Sequence, residues 1–183
     1  ILLLIDSTSP ITETDKKLTG LVAEESTPAV VVLNKWDKVP PDKGDAFVSY
    51  VAKKLHAVGG CPVAFTSGKE KTNLWEPLEL AWELAARAKI WLDPAVLRKS
   101  VEDAFTKHPP RSTRAGKTVS LNGVRQVGIS PVRIQIHTNQ PDAFAGDRIR
   151  MFAAAISKNS PWEEIPIRVE AVGPQHKKNR KSS

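Results

Sequence analysis

Ala29-Val30-Val31-Val32-Leu33-Asn34-Lys35-Trp36-Asp37 is the stretch whose reading decides the fold. Residues 29–33 are uncharged, rich in β-branched side chains and bounded by Pro28. Such a run predicts a strand buried on both faces of a parallel sheet. Open α/β sheets bind ligands just beyond the carboxyl ends of their strands, and residues 34–37 occupy that place.

The residue types at 34–37 suit a purine with two adjacent N–H donors. A carboxylate at Asp37 can accept from both the ring N–H and the exocyclic amino group of guanine. Adenine offers a lone pair where guanine has the ring N–H. A site built to pair with such donors rejects the wrong base by roughly 10⁴-fold or more. Asn34 can tie neighbouring loops together through its amide, and the Lys35 stem can lie along a base while its ammonium stays solvated. The tetrapeptide resembles the N-K-x-D guanine-specificity motif of the P-loop GTPases. A polar turn after a strand also fits these four residues taken alone.

Outward from this stretch the pattern is doubly wound. Residues 1–5 form a second buried-strand run ending at Asp6. Thr12 with Asp15 three residues on predicts a capped helix to about Glu25, with Leu18, Leu21 and Val22 facing the sheet. Pro40-Pro41 precede a helix expected over 42–57, with Phe47, Val51 and Leu55 at helical spacing. Residues 62–66 read as a third strand, ending in Thr66-Ser67-Gly68. That turn falls one β-α-β unit after the first, where GTPases place a second guanine-contacting turn, usually Ser-Ala. Ser67 matches, Gly68 replaces the alanine, and a turn acting through backbone N–H groups tolerates glycine. A helix over 73–89 follows, with Leu74, Leu78, Ala81, Trp82 and Ala85 on one face; Trp75, Trp82 and Trp91 read as core or helix-packing residues.

Beyond Asp93-Pro94, an N-cap followed by proline at the first helical position, the period changes. A helix runs to Phe105, before His108-Pro109-Pro110. Strands are expected over 118–127 and 132–138, the latter alternating so that one face is solvated. A helix over 141–156 and a strand over 165–172 follow, and residues 173–183 read as a disordered basic tail. The fold class expected is therefore α/β, a partial doubly wound P-loop GTPase sheet over 1–92, followed by a small α+β KH-like domain over 93–172.

Composition narrows the function. At 40% hydrophobic and 26% charged residues the chain is of ordinary globular type, and no apolar run approaches the ~20 residues a membrane helix needs. One cysteine, Cys61, excludes an internal disulfide and reads as a buried small apolar residue. Residues 1–92 carry 11 Lys and Arg against 12 Asp and Glu; residues 93–183 carry 16 against 8. A basic second half suggests a polyanionic partner. His56, His108, His137 and His176 are scattered without metal-ligand spacing.

The ordered series is the guanine motif, the Ser-x turn, His108-Pro109-Pro110, Gln126-Val127-Gly128 with Pro131, Asn139-x-Pro141, and Ile165-Pro166-Ile167-Arg168. It resembles the C-terminal portion of the Der/EngA GTPases, which carry two GTPase domains and a KH-like domain and act in large-subunit ribosome assembly. The resemblance implies guanine contacts at Asn34, Lys35, Asp37, Ser67 and Gly68. It also implies GTP or GDP as ligand, with Mg²⁺ in the complete protein, and ribosomal RNA of the large subunit as partner. The compartment it implies is bacterial cytoplasm, or an organelle stroma or matrix. The pattern departs from the family in lacking G-x-x-x-x-G-K-[ST] and Asp-x-x-Gly; the expectation is a fragment that does not hydrolyse GTP without the missing N-terminal GTPase segments. No catalytic residue is assigned.

No Gly-x-x-Gly clamp is present either, so phosphate contacts to structured RNA are the expected mode. The candidates are Arg111, Arg114, Lys117, Arg125, Arg133, Arg148, Arg150, Lys177, Lys178, Arg180 and Lys181. Two other readings stay open: a nucleotide-independent RNA-binding module on a remnant GTPase scaffold, and an unrelated α/β nucleotide-binding enzyme with a basic appendage.

Overall fold

The computed structural model describes residues 1–174 other than Gly59, Arg114 and Asn159. The first strands are β1 (Leu2–Asp6), β2 (Val30–Asn34) and β3 (Val63–Thr66), joined by helices α1 (Glu13–Glu25) and α2 (Gly44–Lys54), with α3 (Glu76–Ala88) after β3. They form an all-parallel sheet in the order β1-β2-β3. Short connections between parallel strands require crossovers, and each crossover here carries a helix. The run read first is the central strand, with Val30 to Leu33 at 3% exposure or less.

Alternation along the strands divides the core into two sides. Leu3, Ile5, Val31 and Leu33 pack with Val51, Leu55 and Val58, and Val22 of α1 leans on the same side. Val30, Val32 and Ala64 pack with Leu84 and Ala88 of α3. The Thr12 capping box forms as expected, the hydroxyl accepting from Asp15 N–H and the Asp15 carboxylate accepting from Thr12 N–H.

Four expectations are corrected here. Leu18 and Leu21 are exposed, because α1 turns Thr19 and Val22 inward instead. On α3 the buried residues are Pro77, Leu84 and Ala88, so the predicted face of Leu74, Leu78, Trp82 and Ala85 points outward. Trp75, Trp82 and Trp91 are exposed by 75%, 80% and 58%, which rules them out as core residues in this chain. Leu4 of the edge strand β1 is likewise 60% exposed, so β1 is not buried on both faces.

The second half is built from α4 (Pro94–Lys107), β4 (Leu121–Ile129), β5 (Val132–Thr138), α5 (Asp147–Lys158) and β6 (Ile167–Val172). Asp93 caps α4, its side chain accepting from Ala95 and Val96 N–H. The sheet order is β4-β5-β6, antiparallel then parallel. Ile134 and Ile136, both fully buried at its centre, contribute about 1.5–3 kcal/mol each by the area removed from water. The helices expected over 42–57 and 141–156 are each interrupted. The first is a 3₁₀ turn (Pro41–Lys43), α2 and a second turn (His56–Val58). The second is a 3₁₀ turn (Pro141–Phe144) and α5, separated at Gly146, whose φ of 64° no continuous helix allows. The strand expected from 118 begins at Leu121.

The halves meet through side chains as well as core. Arg87 Nη2 donates to Glu163 O at 2.6 Å, and the Arg168 guanidinium donates to Ser26 Oγ at 3.1 Å and to Glu24 O. Gln126 bridges the connection between α3 and α4, accepting from Leu92 N–H and donating to Ile90 O, both at 3.0 Å.

Candidate functional site

The carboxyl ends of β1, β2 and β3 converge because register pairs Asp6 with Asn34 and Asn34 with Thr66. Asn34 spans two loops: its Oδ1 accepts from Thr66 Oγ1 at 3.2 Å and from Gly68 N–H at 3.3 Å. The amide therefore holds the third-strand turn against the second, as its residue type suggests.

Lys35 sits in the left-handed region at φ 62°, a conformation that costs a non-glycine residue about 1–2 kcal/mol. Strain of this kind persists where surrounding contacts over-determine it. The contact here is Asp6, whose Oδ2 accepts from Lys35 Nζ at 2.7 Å. Asp6 also accepts from Thr8 N–H at 2.9 Å and Thr8 Oγ1 at 2.6 Å. The Lys35 ammonium, then the Thr8 donors, hold the Asp6 carboxyl well below the usual carboxylate range.

Asp37 lies in the 3₁₀ turn Trp36–Lys38 and is exposed. Ser67, 3% exposed, donates its hydroxyl to Asp37 Oδ1 at 2.5 Å and accepts from Glu70 N–H at 3.1 Å. That hydroxyl is the main reason the Asp37 carboxyl titrates below its ordinary value, against a desolvation effect that raises it. A carboxylate offers about four acceptor positions, so Asp37 keeps room for two parallel N–H donors. Trp36 packs behind it on Phe65, ring centroids 4.4 Å apart, which fixes the turn to the sheet.

Gly68 needs none of glycine's conformational freedom: its φ is not positive, and a Cβ there would meet nothing within 4 Å. An alanine fits equally, so the departure from Ser-Ala at this turn has no steric cause. A hollow of about 360 Å³ borders Trp36, Asp37, Phe65, Ser67 and Glu70. Its lining includes neither Asn34, Lys35 nor Gly68, so it meets the candidate base edge only through Asp37 and Ser67.

The structure thus brings Asn34, Asp37, Ser67 and Gly68 together through two hydrogen-bonded sets, Asn34 with Thr66 and Gly68, and Ser67 with Asp37 and Glu70, with Lys35 anchored beside them. Asp6, a strand-end residue on the ligand side of the sheet that a helix-approach turn explains as well, is the residue that anchors Lys35. Its place at the end of a strand adjoining the Asn34 strand brings it there. Among the described residues, no group of three or more His, Cys, Asp or Glu side chains is placed to hold a metal ion. Cys61 lies half-buried beside the α2 side of the core, where burial pushes its thiol up.

Among the described residues, the basic candidates lie on separate elements. Arg125 and Arg133 lie on the sheet of β4 to β6. Arg111 and Lys117 flank the loop held by Gln140, while Arg148 and Arg150 lie on α5, where Arg150 pairs with Asp147. Arg114, Lys177, Lys178, Arg180 and Lys181 lie outside the described residues.

Comparison with known proteins supports the resemblance. Residues 92–171 match the family described as "KH-domain-like of EngA bacterial GTPase enzymes, C-terminal". GTPase Der of Natranaerobius thermophilus is 28% identical over 170 residues, covering 92% of this chain and 38% of that protein. GTPase Der of Fusobacterium nucleatum is 29% identical over 148 residues, covering 77% and 32%. The chain therefore spans between 32% and 38% of the length of these relatives. Among solved structures, the crystal structure of Era in complex with MgGDPNP and nucleotides 1506–1542 of 16S ribosomal RNA aligns over 94% of this chain and 64% of that one. Its identity is 16% and its TM-score 0.38.

Proposed function

We propose that this chain, which is similar to the C-terminal part of the Der/EngA GTPases over 92% of its length, supplies guanine recognition and an RNA-docking domain to a ribosome-assembly GTPase. The observation that carries the first half is the Asn34–Asp37 turn braced by the Ser67 hydroxyl. Asp37 receives the ring N–H and amino group of guanine, and the Ser67 hydroxyl holds that carboxylate ionised and aimed. Asn34 fixes the Gly68 turn by accepting its backbone N–H, which keeps that exposed residue beside the Asn34–Asp37 loop. Lys35, tethered by Asp6, lays its stem along the base. GTP or GDP is the proposed ligand. Mg²⁺ is proposed for the complete protein, and no residue of this chain is assigned to it. The segments that complete the GTPase sheet beside β1, absent from this sequence, are the proposed intramolecular partner.

The residues from 93 to 172 form the proposed docking domain and 173–183 its basic tail. Their excess of Lys and Arg favours RNA phosphates, and the large ribosomal subunit of a bacterial cytoplasm, or of an organelle, is the proposed destination.

The guanine half is tested on the chain itself by ¹⁵N NMR titration with GMP and AMP. The reading expects GMP to shift the Gly68 amide, the Asn34 side-chain amide and the Asp37 amide, with AMP leaving them in place. Equal shifts with both nucleotides, or shifts elsewhere only, contradict it.

A further inference from the structure

We propose that the open face of the β4-β5-β6 sheet is a track for an RNA backbone, with Arg125 and Arg133 as its phosphate contacts. The inference rests on the RNA-docking reading above and narrows it to one surface. Alternation along β5 sends Val132, Ile134, Ile136 and Thr138 into the core, leaving Arg133, Gln135 and His137 on the opposite face. Register sets Arg125 beside Gln135, Gly128 beside Arg133, and Arg168 and Glu170 on the other flank. The helices pack on the inward side, where Leu97, Phe152 and Ile156 join Ile134 and Ile136.

The outward face carries three arginines and one carboxylate, Glu170. Arg168 is engaged with Ser26 and Glu24 at the junction with α1. Arg125 donates its Nε to Gln135 Oε1 at 3.0 Å, which orients the guanidinium along the sheet and leaves its Nη donors for an anion. Arg133 lies across Gly128: a Cβ at that glycine would stand 2.8 Å from Arg133 Nε and 3.2 Å from Nη2. The missing side chain makes the room the guanidinium occupies. Arg133 and Arg168 are register partners on one face, and like charges side by side are unfavourable until an anion relieves them.

The chemistry selects backbone over bases. No Phe, Tyr or Trp stands at the outward positions of the three strands, so there is no platform on which bases could stack. Planar guanidinium groups match phosphate bidentately, and the half-buried Gln135 and His137 beside them carry polar groups suited to 2′-hydroxyl contacts.

The test is fluorescence anisotropy of the full chain with a fluorescein-labelled RNA hairpin across a salt series. Each lost phosphate contact removes about 0.7–0.9 from the log–log salt slope. The Arg125→Gln/Arg133→Gln variant should therefore bind roughly 25- to 60-fold more weakly near 0.1 M salt. Its slope should be shallower by about 1.4–1.8. Arg125→Lys/Arg133→Lys, which keeps the charge, should retain the slope, and Lys53→Gln/Lys54→Gln, exposed on α2 and outside the docking domain, should retain affinity. If the wild type binds and the face variant binds as well, the track is refuted while RNA docking stands. If the wild type does not bind even at low salt, both fail. Displacement by polyglutamate as readily as by unlabelled RNA would assign the face to an acidic protein instead and overturn the proposal.

Discussion

Replacing Gln140 by leucine should unfasten the basic loop without disturbing the guanine site. Gln140 is 1% exposed, and its Oε1 gathers Ser112 Oγ at 2.9 Å, Thr113 N–H at 3.0 Å and Thr113 Oγ1 at 3.3 Å. Its Nε2 donates to Thr118 O at 3.3 Å, an oxygen that also accepts from Asn139 Nδ2 at 2.9 Å. One side chain therefore closes the segment that carries Arg111 and Lys117. Leucine preserves the buried volume, and Asn139 keeps Thr118 O satisfied, so the main casualty is the bond from Thr113 N–H, at an exposed residue that water can reach. Losing a bond of this kind costs about 0.5–1.5 kcal/mol. With a urea slope of about 2–3 kcal/mol/M, the midpoint for Gln140→Leu should fall by roughly 0.2–0.7 M. Amide exchange at Thr113 should lose its protection, while GMP-induced shifts at Gly68 stay as in the wild type. An unchanged midpoint with Thr113 still protected would refute the reasoning, since the amide would then have been idle.

Two further perturbations act on the guanine loops. Ser67→Ala removes the hydroxyl that holds the Asp37 carboxyl down, so its titration, followed by carboxyl ¹³C NMR, should move up toward the ordinary value. The sign follows: a depressed folded-state carboxyl contributes stability above its unfolded value that is lost as pH falls through the folded one, so the variant should be less acid-sensitive than the wild type. Asp6→Asn removes the anchor of Lys35. Both partners are well exposed, at 38% and 49% of their side chains, so the melting temperature should barely change while GMP binding weakens. A large loss of stability with normal GMP shifts would contradict the positioning role.

What the sequence revealed was local. The capping box at Thr12 and Asp15, the Asp93 cap and the uncharged run at 29–33 each declare themselves within a few residues, and each formed as read. The facing of a helix is not local. Leu18 and Leu21 are apolar at helical spacing, yet Thr19 is buried and Val22 packs on the core, where α1 meets the turn at His56–Val58. The same holds for α3, where Leu84 and Ala88 rather than Leu78 and Trp82 reach the core. Gly146 was visible, but nothing in its neighbours said that it would adopt φ 64° and divide the helix. At the site, the tie from Asn34 to the third-strand turn was legible from residue type and order. The link from Lys35 to Asp6 was not, since it joins residues 29 apart through a left-handed turn.

The central claim is that Asp37 reads the ring N–H and amino group of guanine. Xanthine carries a carbonyl where guanine carries that amino group, and the amide introduced by Asp37→Asn can donate to it. Titration of wild type and Asp37→Asn with GMP and xanthosine monophosphate, followed at the Gly68 and Asn34 amides, therefore tests the claim most directly. The account predicts that the wild type prefers GMP and the variant prefers xanthosine monophosphate. A variant that still prefers GMP would contradict it.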